Sequence, residues 1–354
     1  MRIGLVGYGL GGRFFHAPLI ASTAGARLVG VVTRSPQRRA EVAQDHPGVA
    51  CHDDLASLVA AGIDALVISA PVAERKALVL EAIQHGIPVV SDKPFALNFQ
   101  DAQDMVQAAE RAGVALTVYQ NRRWDSDVLT VAKLLREGTL GPVRIFESRI
   151  QVDEPHKAGA TSGGGLLRDL GSHLVDQALT LFGPVTQVYA EVLFHQGDPE
   201  RDDEFFISLQ HQGGVISHLS GSCLQGCPWR LRVVGEEGVY TVEGLDGQTQ
   251  ALLQGLSPRS EKGNWGAEEH QRWGWLSRGE ERERIPSERG RWDLFYARWL
   301  ATLTQGSAPP VSTREALACQ AVLDAARQSA LDGQAVKVAS VPSLPDAQAF
   351  EQAS

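Results

Sequence analysis

MRIGLVGYGLGGRFFHA (residues 1–17) is the stretch whose reading decides the fold. Arg2 to Val6 is an apolar run of the length of a buried strand, and it leads straight into Gly7-Tyr8-Gly9-Leu10-Gly11-Gly12. Glycines 7, 9 and 12 have the Gly-x-Gly-x-x-Gly spacing. In a dinucleotide site Gly7 makes the tight turn, Gly9 lets the backbone approach a pyrophosphate, and Gly12 lets the next helix pack close to the strand. That helix, expected over Arg13 to Ser22, starts near Gly11 and aims its free N–H groups and positive dipole end at the phosphates. The spacing by itself also fits a plain glycine-rich turn. The strand before it and the helix after it favour the dinucleotide reading.

Outward from this stretch, residues 1–119 alternate strand and helix. Further apolar runs lie at Leu28–Val32, Ala65–Ser69, Pro88–Ser91 and Val114–Val118. Amphipathic stretches separate them, such as Glu74–His85, closed by Gly86, and Gln100–Ala112, opened by Asn98 and closed by Gly113; these are helix caps. Near-continuous apolar strands between helices imply a parallel sheet covered on both faces. After Tyr119 the pattern changes. Strands are expected over 143–152, 185–194, 203–210, 214–222, 229–234 and 238–243, joined by short glycine-containing turns at 211–214 and 235–238. That is a largely antiparallel sheet. Helices are expected over 165–182, 291–305 and 314–332, and residues 255–290 read as a long loop. The fold class is therefore α/β: a doubly wound Rossmann domain (1–119), an α/β domain with a large open sheet (120–340), and a flexible tail (341–354).

Composition bounds the function. The 354 residues carry 43% hydrophobic and 21% charged side chains, ordinary for a globular protein. A net charge of -9 argues against a nucleic-acid partner, which calls for a basic face. No apolar run reaches the roughly 18 residues a membrane helix needs. The first residues have no secretory pattern. Cys51, Cys223, Cys227 and Cys319 include no C-x-x-C pair, so reduced thiols in a cytoplasm are expected and no metal.

In a Rossmann domain the residue ending the second strand meets the adenosine ribose, and NAD sites usually have Asp or Glu there. This chain has Thr33 and Arg34, with Arg38 one turn later. A hydroxyl and two guanidinium groups suit a 2′-phosphate and point to NADP rather than NAD. The alternative is that both arginines are solvated residues at a helix start. Lys93, in Ser91-Asp92-Lys93-Pro94, follows the fourth run, where open α/β sheets bind ligands; the plain alternative is a surface lysine. Asp169 and His173, four apart in Gly163-Gly164-Gly165-Leu166-Leu167-Arg168-Asp169-Leu170-Gly171-Ser172-His173-Leu174-Val175-Asp176, share a helical face. A histidine beside a carboxylate can take a proton near neutral pH, and a buried structural pair is the other reading. His16, Asp176, Trp265, Trp273 and Trp275 are read as packing residues.

These pieces together resemble the Gfo/Idh/MocA oxidoreductases. The resemblance is carried by GYGLGG at 7–12, SAP at 69–71, SDKP at 91–94, YQNRRWDSD at 119–127 and GGGLLRDLGSHLVDQ at 163–177. It implies that Lys93, Asp169 and His173 are catalytic. On the same motifs it implies that Gly7, Tyr8, Gly9, Leu10 and Gly12 line the cofactor, as do Ser69, Ala70, Pro71, Asp92, Lys93 and Asn121. The opening GYGLGGRFFHAPLI is most similar to the branch of NADP-dependent scyllo-inositol dehydrogenases and related sugar reductases. The implied reaction is NADP(H)-linked hydride transfer on a cyclic polyol or sugar, by a homodimer or homotetramer joined through the sheet face. A cofactor-binding regulator and a redox-assisted glycosidase or lyase are the alternatives on this scaffold. Two departures stand out. Arg75 occupies the place where the family often has a histidine. Residues 151–157 (QVDEPHK) replace a longer Arg-rich segment, so the branch's substrate does not carry over.

Overall fold

The computed structural model describes residues 1–154, 165–198, 201–224 and 226–339. Gly163, Gly164 and the tail 341–354 lie outside them. The chain forms two compact units. Met1–Gln120, Gln248–Trp265 and Arg291–Ala316 make the first. Asn121–Gly247, Gly266–Gly290 and the chain from Leu317 onward make the second.

Strands β1 (Arg2–Val6), β2 (Arg27–Val32), β3 (Ala50–His52), β4 (Ala65–Ile68), β5 (Val89–Ser91) and β6 (Leu116–Val118) form the sheet of the first unit. Their order is β3-β2-β1-β4-β5-β6, all parallel, the doubly wound arrangement. Every residue of β4, β5 and β6 is buried, which is why these runs are mostly apolar, with Ser91 and Thr117 as their buried polar members. Local signals set the helices between them. Ser35, Asp54 and Asn98 accept the N–H three residues on and start helices Pro36–Asp45, Leu55–Ala60 and Phe99–Ala112. Gly113, at φ 64°, ends the last of these as the notional left-handed cap residue. The helix after the glycine loop differs from expectation. Residues Gly11–His16 form a wide turn in which the Ala17 N–H bonds to the Gly12 carbonyl five residues back, and only Ala17–Ser22 is α-helical. Pro18 has no N–H to give to the turn before it, which fits this wider winding.

The second unit holds β7 (Val143–Gln151), β8 (Val185–Phe194), β9 (Asp202–His211), β10 (Ile216–Ser222), β11 (Trp229–Gly235), β12 (Val239–Glu243), β13 (Gly274–Arg278), β14 (Glu281–Ile285) and β15 (Val336–Lys337). Among the described residues they form one sheet, ordered β14-β13-β12-β11-β7-β10-β9-β8-β15. It is antiparallel except where β7 and β10 run parallel. One face is core: Phe205, Ile207 and Leu209 of β9 and Leu219 of β10 meet Leu174, Val175 and Ala178 of helix Gly171–Phe182 and Val322, Leu323 and Ala326 of helix Thr313–Asp332. Each such side chain contributes roughly 1.5–3 kcal/mol by leaving water. On the alternate positions Tyr189, Leu193, Phe206 and Ile216 are exposed.

The long loop expected over 255–290 is corrected. It contains the hairpin β13–β14, which extends the sheet at one edge. Glu281-Arg282-Glu283-Arg284 carries no apolar signal because an edge strand can be polar on both faces. Arg282 and Arg284 both lie over the Trp275 ring, at 4.2 and 4.3 Å. Among the described residues no helix is long and apolar enough to cross a membrane. None of their His, Cys, Asp and Glu clusters could hold a metal.

Candidate functional site

The glycine loop is shaped by close approaches that a side chain would block. Gly7 stands at φ +93°, and a Cβ there would meet the Ser69 carbonyl oxygen at 2.5 Å. A Cβ on Gly12 would come within 2.0 Å of the Gly7 carbonyl. Gly9 is different: a Cβ on it would meet only the Arg38 guanidinium, at 3.7 Å and beyond. A strand-end loop with room at Gly9 and a guanidinium beside it fits the phosphates of a dinucleotide. The spacing motif leaves out Gly11, whose Cβ would lie 2.6 Å from Ser69 Oγ and 3.0 Å from Asp92 Oδ2.

Of the other residues expected at the cofactor, Tyr8 is buried and its hydroxyl donates to Asp45 at 3.0 Å. Burial, then the Asp45 charge, raise its phenol well above the usual range. Arg13 Nε also donates to Asp45, at 2.7 Å, tying the loop to the helix that carries Arg38. Leu10 is exposed. Thr33 is buried at the end of β2, and Arg34 and Arg38 are exposed. Arg34 donates to the Asp53 carbonyl at 3.1 Å. Arg39, not anticipated from sequence, bonds the Thr33 carbonyl at 3.0 Å and pairs with the Asp53 carboxylate at 2.6 Å.

The loops after β4 and β5 are locked together. Ser69 Oγ donates to Asp92 Oδ2 at 2.8 Å, and the Lys93 N–H donates to Asp92 Oδ1 at 2.8 Å. Arg75, buried on helix Val72–Gln84, donates to the Ala70 carbonyl at 2.8 Å, to the Asp92 carbonyl at 2.9 Å and to the Pro94 carbonyl. Pro71 precedes that helix, and Lys93 is half-buried. Burial opposes the charge on Asp92, and His16, Arg75 and Lys93 outweigh it, so the carboxyl sits well below the usual range. Arg75 could have been found in the sequence. It interrupts the apolar stripe Val72, Val79, Ala82, Ile83 at a position one turn from Val72.

In the second unit the helix expected over 165–182 is divided. Leu166–Asp169 forms one turn and Gly171–Phe182 the next helix. The junction falls between the two expected catalytic residues: the His173 N–H bonds to the Leu170 carbonyl, and Ser172 Oγ donates to the Asp169 carbonyl at 3.2 Å. Asp169 is half-buried and His173 is buried. Gly165, at φ +89°, opens the turn where a Cβ would collide with Asp202 Oδ1, and Asp202 accepts the Leu167 N–H.

The residues one turn beyond His173 are anchored in a buried charged cluster. Asp176 pairs with Arg123 through two 2.7 Å bonds. Gln177 donates to the Arg122 carbonyl at 2.8 Å and accepts from Arg230 at 2.9 Å. Arg230 also contacts Asp127 at 2.9 Å, and Arg122 contacts Asp125 at 3.0 Å. Burial, opposed by Arg122, holds the Asp125 carboxyl well above the ordinary range. Residues 122–127 therefore build structure around the helix that bears His173, and Asn121 before them is a buried residue of the turn Asn121–Trp124. Breaking such a buried pair costs about 3–5 kcal/mol.

Comparison with known proteins agrees with this architecture. Residues 1–120 match the model of an oxidoreductase family with an NAD-binding Rossmann fold, and residues 128–241 match the GFO/IDH/MocA C-terminal domain. The chain is 30% identical to a scyllo-inositol 2-dehydrogenase (NADP(+)) of Bacillus subtilis, over 95% of each chain. It is 28% identical to a D-apiose dehydrogenase of Paraburkholderia graminis, over 90% of this chain and 84% of that one. The solved structure of the Bacillus subtilis protein yvaA superposes with a TM-score of 0.87 at 29% identity, covering 96% of this chain and all of the other (100%).

Proposed function

Because the chain belongs to the Gfo/Idh/MocA oxidoreductase family, we propose that it is an NADP(H)-dependent dehydrogenase acting on a secondary alcohol or ketone of a cyclic polyol or sugar. The observation that carries the cofactor choice is the end of β2, where the chain has Thr33, Arg34 and Arg38 rather than Asp or Glu and Arg38 lies beside Gly9. The substrate class follows relatives named for an inositol and for apiose. The glycine loop holds the pyrophosphate, Gly7 and Gly12 shaping its turn and Gly9 giving it room, and Arg34 and Arg38 hold the 2′-phosphate. The loops at Ser69, Ala70, Pro71 and Asp92 and the turn at Asn121 line the rest of the cofactor. The bound nicotinamide supplies the redox chemistry by taking up or giving back a hydride. His173 accepts the proton of the substrate hydroxyl and returns it in the reverse direction. Asp169 orients the substrate or the imidazole. The Lys93 ammonium stabilises the developing alkoxide, an interaction stronger in a dry site than in water.

Each hydrogen bond to a charged group contributes about 1.5–3 kcal/mol, so losing one shifts affinity tenfold or more. NADP is accordingly expected to bind at least tenfold tighter than NAD in a titration of tryptophan fluorescence. Thr33→Asp should reverse the order by setting a negative charge against the 2′-phosphate. Equal affinities, or tighter NAD, would sink the assignment.

We propose further that a second copy of the chain covers the sheet face carrying Tyr189, Leu193, Phe206 and Ile216. Exposed apolar side chains on three adjacent strands favour association. Light scattering should report a homodimer or homotetramer at micromolar concentration, and a stable monomer there would count against it.

A further inference from the structure

The ends of β2 and β3 lie level with each other: Val32 pairs with His52, and the Thr33 N–H donates to the His52 carbonyl at 3.1 Å. Asp53, the next residue, brings a carboxylate to the strand ends, where open α/β sheets bind ligands, and 78% of its side chain is exposed. Arg39 meets it there. Its guanidinium joins the two strand ends, donating through Nε to the Thr33 carbonyl at 3.0 Å and through Nη2 to Asp53 Oδ1 at 2.6 Å. The Arg34 Nε donates to the main-chain carbonyl of the same Asp53 at 3.1 Å, so a second cation stands within reach of the carboxylate. Neighbouring carboxylates are turned to other partners. Asp54 caps its own helix through the Ser57 N–H at 2.8 Å, and Glu41 and Asp45 pair with Arg13 at 3.1 and 2.7 Å.

We propose that Arg39 is a specificity-determining residue for the 2′-phosphate, acting by neutralising Asp53. The inference rests on the placement of that phosphate at Arg34 and Arg38 given above. A carboxylate beside the adenosine ribose favours NAD, since it accepts from the ribose hydroxyls and repels a 2′-phosphate. The residue ending β2 is not acidic, but Asp53 brings a carboxylate to its flank. Arg39 cancels that charge, and its bond to the Thr33 carbonyl holds the guanidinium in place. Without Arg39, Asp53 either faces the phosphate or draws Arg34 away from it. Both weaken NADP and leave NAD, which has only hydroxyls there, nearly unchanged. An exposed ion pair adds little to folding stability, so the effect is one of charge at the ligand.

Isothermal titration of the full chain with NADP and with NAD, at about 10 mM salt where screening is weak, reads this charge. Arg39→Met should lower the ratio of NADP to NAD affinity roughly fivefold or more, with NAD itself within about twofold of wild type. At about 0.5 M salt the deficit against wild type at the same salt should shrink below about twofold, because exposed charges are then screened. Arg39→Lys keeps the charge and should retain most of the preference. Combining Arg39→Met with Asp53→Asn should return the ratio to within about twofold of wild type, because the carboxylate left unpaired is gone as well. Asp53→Asn alone should not lower it. Both side chains reach solvent, so the variants should fold, and Arg39→Gln is a second neutral variant should Met not. An unchanged ratio in Arg39→Met would overturn the proposal. So would a deficit that survives Asp53→Asn or high salt, or a Lys variant as poor as the Met one. A wild type that binds NAD as tightly as NADP would sink the cofactor reading instead; Arg39 is then still tested, since the ratio must fall further in Arg39→Met.

Discussion

His173→Ala is expected to lower turnover roughly 10²–10⁴-fold, the usual worth of a positioned acid–base group. The imidazole is buried on a helix whose next turn is pinned by Asp176 to Arg123 and by Gln177 to Arg230. Truncating the side chain leaves those anchors untouched, so the variant should fold and bind cofactor normally. The loss should shrink as pH rises, because hydroxide can then stand in for the missing base. Asp169→Ala should raise KM as well as lower turnover if its carboxylate holds a substrate hydroxyl. The double variant should be less impaired than the product of the two single effects, as expected of residues that work as a unit. A His173→Ala enzyme with near wild-type kcat at neutral pH would move the proton role to Lys93.

Lys93→Met is expected to abolish most turnover, on the order of 10²-fold or more, while leaving NADP affinity within a few fold. Methionine keeps the length of the side chain and removes the charge that faces the developing alkoxide; removing one preformed donor of this kind typically costs about 10²–10³ in kcat. Asp92 should keep its Ser69 and His16 contacts in this variant. A loss of cofactor affinity as large as the loss of turnover would assign Lys93 to binding instead. Steady-state constants together with a fluorescence titration separate the two.

Much of this could be read from the sequence, for definite physical reasons. Strands covered on both faces are mostly apolar, so β1, β2, β4, β5 and β6 announce themselves. Caps such as Asn98 and Gly113 fix helix ends by local chemistry. What escaped was set by contacts that leave no apolar pattern in the sequence. The hairpin β13–β14 has a charged outer strand, and its stability comes from pairing and from arginines on Trp275. Residues 248–265 and 291–316 join the first unit although they follow most of the second in sequence. Helix Ser126–Arg136 was not foreseen, since Ser126, Asp127 and Thr130 break its apolar pattern while being buried. At the candidate site, the glycines, Lys93 and the Asp169–His173 pair were legible because spacing carries them. His16 and Arg75 were not assigned a role there, because a buried polar side chain shows its purpose only when its partners, Asp92 and three backbone carbonyls, are in place. The break at Leu170 is likewise tertiary: a Cβ on Gly171 would press on Leu167 and Phe205.

Net NADP-linked oxidation of a polyol or sugar alcohol is read from absorbance at the reduced-nicotinamide band. Purified protein is mixed with NADP or NAD and a panel of inositols, aldoses and apiose. Reduced cofactor should accumulate with at least one cyclic substrate, with kcat/KM at least tenfold higher for NADP, and be consumed when the matching ketone is supplied. Disappearance of substrate with no net change in the cofactor band, or tight cofactor binding with no turnover of any substrate in either direction, would contradict it.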